Sequence, residues 1–138
     1  MMTDGSIVPK VGVNVMLNRL CKEVPDYSNT SSFKVGVDTV TPAWDDTDLD
    51  NPVDITTGNL LKQLNNVSFN ETDGDVFIQG WLSVTEANGN LLDGFAVFNG
   101  DSPNKIITKS KFPSRSKTNT ELFKITVRIK LRDKGEYI

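Results

Sequence analysis

The sequence contains no histidine and a single cysteine, Cys21. Histidine is the usual general base near neutral pH and the commonest ligand of transition metals. Its absence, together with the lone cysteine, excludes Ser-His-Asp and Cys-His catalysis and nearly all zinc sites. A lone cysteine forms no disulfide within the chain, which fits synthesis in a reducing compartment. An enzyme is therefore the least favoured class, and the sequence predicts no cofactor and no metal ion.

Long apolar runs and a leader pattern are absent as well. No stretch reaches the roughly 18 apolar residues of a membrane-spanning helix, so we expect no membrane partner. The first ten residues, MMTDGSIVPK, lack the positive and apolar regions of a signal peptide. The 138 residues, 37% hydrophobic and 24% charged, suffice for one domain with its own core.

The clearest regular pattern lies in residues 121–133, ELFKITVRIKLRD. Apolar and polar residues alternate there, which is typical of a half-buried strand because successive side chains leave opposite faces of the pleat. A helix would spread the same apolar residues around its circumference. The predicted inward residues are Phe123, Ile125, Val127, Ile129 and Leu131.

Three more strands are predicted in the C-terminal half. Residues 75–85 and 91–98 are rich in β-formers and flank the Asn-Gly pair at 88–89, which predicts a hairpin because both residues tolerate positive φ. Gly94 is predicted as a bulge or a close approach. Residues 105–112 form the next strand, so we expect four antiparallel strands in succession.

The N-terminal half predicts one helix. Residues 11–23 carry an apolar stripe at helical spacing, and Pro25 stops it. We expect the stripe to pack on the domain's own core, with docking on a partner helix as the alternative. The stripe consists of Val13, Met16, Leu17 and Leu20, and Val24 would continue it.

Short strands are predicted at residues 33–37 and 52–56. In sum, we predict a mainly β fold: an antiparallel β-sandwich with one N-terminal α-helix. Residues 1–138 form a single domain in this interpretation, with residues 1–30 as a helical N-terminal arm.

Residues 44–54, WDDTDLDNPVD, contain five aspartates. Asp46, Asp48 and Asp50 alternate as in the start of a calcium-binding loop, but the glycine and the closing glutamate of such a loop are replaced by asparagine and threonine. We therefore expect the aspartates to cap turn amides while Leu49 points inward. Acid–base catalysis is disfavoured because so polar a loop would leave the carboxyl groups hydrated.

Charge is unevenly distributed along the chain. Residues 38–75 contain nine acidic residues and one basic residue, whereas residues 105–134 contain ten basic and two acidic residues. We expect the acidic half of one copy to contact the basic half of another. Nucleic acid is disfavoured because no aromatic residues are interleaved with the lysines. The predicted interface residues are Trp44, Asp46, Asp48, Asp50, Lys109, Lys111, Arg115, Lys117 and Arg128.

The two tryptophans lead to different predictions. Trp44 lies in the polar loop, so it is a candidate for contact with a sugar or a protein. Trp81 shares a strand face with Phe77, so we expect it to pack rather than to bind a ligand.

Two segments resemble small structural proteins of tailed bacteriophages. Residues 33–53, FKVGVDTVTPAWDDTDLDNPV, resemble a strand–glycine segment followed by an Asp-Asp-Thr-x-Leu step. Residues 83–113, SVTEANGNLLDGFAVFNGDSPNKIITKSKFP, resemble an Asn-Gly turn followed by a Gly-Phe-x-x-Phe-Asn strand. With the closing strand, the similar parts cover roughly half the chain. Asp93 departs from the pattern, in which glutamate is common.

The resemblance implies a β-sandwich of the kind found in tail-fibre, tail-collar and other virion proteins. The function we expect is a non-enzymatic virion component, assembled in multiple copies as a tail or baseplate adaptor or fibre anchor. Its partners would be copies of itself and other virion proteins. A capsid decoration protein is the first alternative. A carbohydrate-binding module that uses Trp44, with a host-surface glycan as ligand, is the second.

Overall fold

The computed structural model describes residues 6–21 and 27–130. Within these ranges, one helix and eight strands follow one another along the chain. They are β1 (Ser6–Ile7), α1 (Lys10–Cys21), β2 (Thr30–Gly36), β3 (Lys62–Gln63), β4 (Asn66–Asn70), β5 (Asp75–Leu82), β6 (Leu91–Asn99), β7 (Ile106–Ser116) and β8 (Phe123–Lys130).

The strands form two antiparallel sheets. The five-stranded sheet has the order β1-β7-β6-β2-β3, and the three-stranded sheet has the order β4-β5-β8. Side chains from both sheets share one apolar core, for example Phe33 and Phe95 from the first and Ile78 and Val127 from the second. The predicted mainly β sandwich with an N-terminal helix is confirmed.

The burial pattern of β8 confirms the half-buried strand that was predicted from alternating apolar residues. Phe123, Ile125, Val127 and Ile129 are buried, and the residues between them lie on the other face. β8 pairs with β5 along its whole length without a register shift. Leu131 lies outside the described residues.

The predicted hairpin at residues 88–89 is wrong. β5 pairs with β4 and β8, whereas β6 pairs with β2 and β7, so the chain crosses from one sheet to the other between them. Gly89 does adopt a positive φ of 81°, as the turn chemistry indicated. However, its amide donates to the carbonyl of Lys117, just beyond β7. The Asn-Gly pair turns the backbone, but it does not determine which strands pair.

Gly94 confirms both predicted properties. The register of β6 against β7 shifts between Leu92 and Gly94, which marks a bulge. A Cβ atom at Gly94 would collide with Oγ1 of Thr39, so the loop after β2 passes closely over β6 at this point. Residues 52–56, by contrast, contribute two isolated bridges, Gly36 with Pro52 and Thr56 with Asn59, rather than the predicted strand.

Helix α1 is present, but its orientation differs from the prediction. The buried residues of α1 are Gly12, Val15 and Asn18, whereas Leu17 and Leu20 are 53% and 82% exposed. A Cβ atom at residue 12 would collide with the carbonyl oxygen of Ile107, so the absence of a side chain lets α1 approach the backbone of β7 here. That close approach sets the rotation of the helix. The prediction that Leu17 and Leu20 pack in the core is therefore wrong; residues 22–24 lie outside the described ranges.

Candidate functional site

The acidic loop, residues 38–54, covers the outer face of the five-stranded sheet. Leu49 is 3% exposed and packs in a second apolar cluster with Ala96, Phe98 and Ile106. This cluster lies on the face of β6 opposite the main core, to which Phe95 and Val97 of the same strand point. The loop therefore has an apolar anchor, and the prediction that Leu49 points inward is confirmed.

The aspartates of the acidic loop cap its turns. Asp46 accepts a hydrogen bond from the amide of Ala43 at 2.8 Å, and Asp50 accepts one from the amide of Val40 at 2.9 Å. Asp48 accepts from the amide of Leu49 at 2.7 Å. The predicted capping role is confirmed for all three residues.

Three lysines on the outer face of the five-stranded sheet hold the acidic loop in place. Lys34 on β2 and Lys109 on β7 are both in register with Ala96 of β6, so their side chains leave the same face. Lys34 Nζ lies 3.0 Å from Asp48, and the Nζ of Lys111 donates to the carbonyl oxygen of Thr39. The sequence does not show this arrangement because β2 and β7 become neighbours of β6 only in the folded sheet.

We call the contacts of Lys34, Lys109 and Lys111 with the acidic loop the clasp, and Lys109 lies at its centre. Its side chain is buried, and its Nζ lies 3.0 Å from Oδ2 of Asp46 and 3.0 Å from both carboxylate oxygens of Asp50. Burial alone would raise the pKa of Asp50, but the hydrogen bond from Lys109 and the amide of Val40 outweigh it and lower that pKa. The acidic loop is thus fastened to the sheet by a buried cation shared between two carboxylates.

Asp93, at the base of the acidic loop, was noted in the sequence only as a departure from a pattern. It is buried on β6, and its two carboxylate oxygens accept from the amide of Thr39 at 3.0 and 3.3 Å. This contact fixes the turn at which the chain leaves β2 and enters the acidic loop.

Lys117 is a second buried lysine. Its Nζ donates to Oδ1 of Asn88 at 2.7 Å and to the carbonyl oxygen of Thr118 at 2.8 Å. Burial lowers the pKa of Lys117, although Glu121 and Glu86 act in the opposite direction. The lysine ties the crossing segment between β5 and β6 to the end of β7.

These contacts correct the predicted exposed interface. Lys109 and Lys117 are 0% and 1% exposed, so neither offers a side chain to a partner. Their ammonium groups are satisfied within the chain, and Asp46 and Asp50 are engaged by the same lysine. The basic and acidic halves of the sequence therefore meet inside one copy at this clasp. An interface at the remaining candidate residues stays a prediction.

The other candidates lie on separate parts of the surface. Trp44 is 55% exposed on the acidic loop, and its carbonyl oxygen accepts from the amide of Lys10. Arg115, near the end of β7, is 65% exposed with Glu121 at 3.8 Å. Arg128 lies on β8, on the outer face of the other sheet, 2.8 Å from Asp75. The structure does not bring these three residues together.

An apolar groove between α1 and the three-stranded sheet was not predicted from the sequence. We call it the α1–β4 groove; its volume is about 850 Å³. Met16, Leu17 and Leu20 of α1 line one side, and Ile129 at the end of β8 lines another. The strand residues that also line it are Val67, Val76, Ile78 and Ile107.

β4 contributes exposed apolar side chains next to the groove. Val67 and Phe69 are in register with Ile78 and Val76, so they point to the core side of the three-stranded sheet. They nevertheless remain 47% and 70% exposed. Leu20 and Val67 line the groove, and Phe69 lies two residues beyond Val67 on the same face of β4; we call these three exposed side chains its rim.

Two further findings concern metal-binding clusters and membrane-spanning helices. In residues 6–21 and 27–130, no group of three or more carboxylate and thiol side chains is arranged to hold a metal ion. No helix in the same ranges has both the length and the apolar character needed to cross a membrane.

Comparison with known proteins does not assign the chain to a family. No protein-family model matches it, and neither does any curated protein or solved structure.

Proposed function

We propose that the protein is a non-enzymatic structural component of a tailed-phage virion. It assembles in multiple copies as a tail or baseplate adaptor or fibre anchor, and the α1–β4 groove is the contact surface between copies. The open groove with its exposed rim is the observation that carries the proposal. The resemblance of residues 33–53 and 83–113 to virion sandwich proteins supports the virion part of it.

Burial of the rim is the driving force of the proposed assembly. Leu20 and Phe69 are 82% and 70% exposed, and covering each fully would contribute about 1.5–3 kcal/mol. A stable contact needs on the order of 1,000 Å² of buried surface, so the partner must cover the groove as well as its rim.

Charge has a smaller role in this proposal than the sequence predicted. Asp46, Asp48 and Asp50 already pair with lysines of their own chain. Association between copies therefore rests on apolar surface and should persist at high salt, since screening weakens exposed charge pairs but not apolar contacts.

Incorporation into particles tests the proposal. Phage particles are produced from genomes that carry the native gene, Phe69→Glu or Leu91→Glu, and the chain is quantified by mass spectrometry of purified particles. Phe69 belongs to the rim of the groove, whereas Leu91 is 55% exposed on β6 of the other sheet, so its variant is the matched control. We expect native and Leu91→Glu chains in particles and loss of Phe69→Glu. Particles that lack the native chain contradict the virion role, and equal incorporation of both variants contradicts the groove as the contact surface.

The exposure of Trp44 supports a second candidate function, carbohydrate binding. A 55% exposed indole on a loop can stack on the apolar face of a sugar. Binding on a glycan array that disappears with Trp44→Ala would support this function, and no binding by the native chain would remove it.

The capsid decoration alternative is distinguished by location, because a decoration protein is found on isolated heads rather than on isolated tails.

A further inference from the structure

The outer face of the three-stranded sheet pairs aromatic rings with cations. Trp81 and Phe77 share a strand face, as predicted, and that face is the outer one, opposite the side that carries Ile78 and Leu82. Trp81 is in register with Lys124, whose Nζ lies 4.4 Å from the ring centroid.

A second pair of the same kind lies further along the two strands. Phe77 is in register with Arg128, whose guanidinium carbon lies 4.9 Å from the ring centroid. Two rows of the sheet thus each contain an aromatic ring and a cation. Because the rings are four residues apart on β5, they are separated by about 13 Å.

Amide and hydroxyl groups occupy the row between the two ring–cation pairs. Gln79 donates to Oγ1 of Thr126 at 3.2 Å, and Asn66 of β4 is in register with Gln79. Such side chains can donate to and accept from the edges of nucleobases. The outer face therefore contains stacking surfaces, cations and base-edge partners on one three-stranded sheet.

The charge of the outer face is opposite to that of the whole chain. Lys124, Arg128 and Lys130 lie on it, and Asp75, which is ion-paired with Arg128, is the acidic residue of β5 on the same face. The chain as a whole has a net charge of −3. The turn between β4 and β5 adds Glu71 and Asp73 at the Phe77 end, so the cationic character is greatest around Trp81 and Lys124.

We infer that this outer face binds single-stranded nucleic acid. One base stacks on Trp81 while Lys124 moves from that ring to a phosphate. Arg128 keeps its ion pair with Asp75 and offers its guanidinium, over Phe77, as a second stacking surface. The sequence disfavoured nucleic acid because aromatic residues are not interleaved with the lysines along the chain; in the sheet they are interleaved across β5 and β8. A duplex could not use the rings, because its bases are already stacked inside the helix.

Fluorescence anisotropy with a labelled deoxythymidine oligomer of about 12 nucleotides tests the inference. We expect Trp81→Leu to weaken binding at least about five-fold, which is the lower limit for loss of one stacked base. Lys124→Gln should lower the salt slope, the change of log affinity with log salt concentration, by about 0.7, as expected for one lost phosphate contact. Lys10→Gln removes the same charge from an exposed position on α1 and should leave both quantities unchanged.

Several results would overturn the inference. These are no binding of the oligomer at low salt, equal binding of duplex DNA, or an equal effect of Lys10→Gln and Lys124→Gln. Tighter binding of hyaluronan than of the oligomer would assign the surface to an acidic glycan instead. If Trp81→Leu fails to fold, as judged by its melting curve, Lys124→Gln still decides the question through the salt slope. Phe69→Glu, on the core side of the same sheet, should bind the oligomer like the native chain.

Discussion

Replacement of Lys109 by methionine removes the cation at the centre of the clasp and leaves its two carboxylates behind. Methionine keeps most of the length and apolar character of the lysine stem, so the packing over β7 changes little. The lost element is the ammonium group, which lies 3.0 Å from both Asp46 and Asp50. The two carboxylates would then face each other without a counter-charge.

The size of the effect follows from the burial of the clasp. Removing one partner of a fully buried ion pair costs about 3–5 kcal/mol. Asp46 and Asp50 retain 24% and 29% of their side-chain exposure, so water compensates in part, and a loss of about 2–3 kcal/mol is expected. With an unfolding entropy of about 2.1 cal/mol/K per residue, this loss lowers the Tm of a 138-residue chain by about 7–10 °C.

Thermal unfolding followed by circular dichroism measures this loss. Lys10→Met is the matched control, because Lys10 is exposed at the start of α1, and its Tm should lie within about 2 °C of the native value. Adding Asp50→Asn to Lys109→Met should recover part of the stability by removing one unpaired charge. The reasoning is refuted if Lys109→Met melts within about 2 °C of the native chain or if the control falls equally far.

The remaining predictions concern pH, the loop approach and calcium. The pKa of Asp50 is lowered in the folded state, so its contribution to the free energy of unfolding is complete above its ordinary pKa of 3.8 and is lost as the pH falls through the folded pKa. The Tm difference between the native and Lys109→Met chains should therefore narrow as the pH falls below 3.8. A Tm difference that stays constant would contradict the clasp. Gly94→Ala should cost about 1–3 kcal/mol in urea unfolding because its Cβ meets Thr39, whereas Gly100→Ala, with no atom nearer than 3.6 Å, should cost under about 1 kcal/mol. Calcium should leave the native Tm unchanged because lysines already occupy the loop carboxylates, and a rise of several degrees would show that the ion displaces them.

Local alternation in the sequence was the best guide to the fold. β8 was predicted because its apolar residues recur at every second position, and the bulge at Gly94 was predicted because glycine there permits a close approach. Pairing between β5 and β8 could not be read from the sequence, because the strands are distant along the chain and turn chemistry acts only on neighbouring residues. β4 was missed because its five residues, NVSFN, carry only two apolar positions.

The helix and the charged residues show a similar limit. The apolar residues of α1 indicated a helix, but Gly12 determined which face it buries, through contact with a strand nearly a hundred residues away. The acidic loop and the lysines were recognised as complementary, yet they were assigned to different copies of the chain. Only the folded sheet places Lys34 and Lys109 on one face beneath the loop.

Sedimentation equilibrium of the purified chain tests most directly whether copies associate through the α1–β4 groove. The native chain and Leu91→Glu should show a mass that rises with concentration above that of the 15.2 kDa monomer, both at low salt and at high salt. Phe69→Glu should remain monomeric over the same range, with a melting curve that shows it is folded. A native chain that stays monomeric at every concentration, or a Phe69→Glu chain that associates as the native one does, would contradict the account.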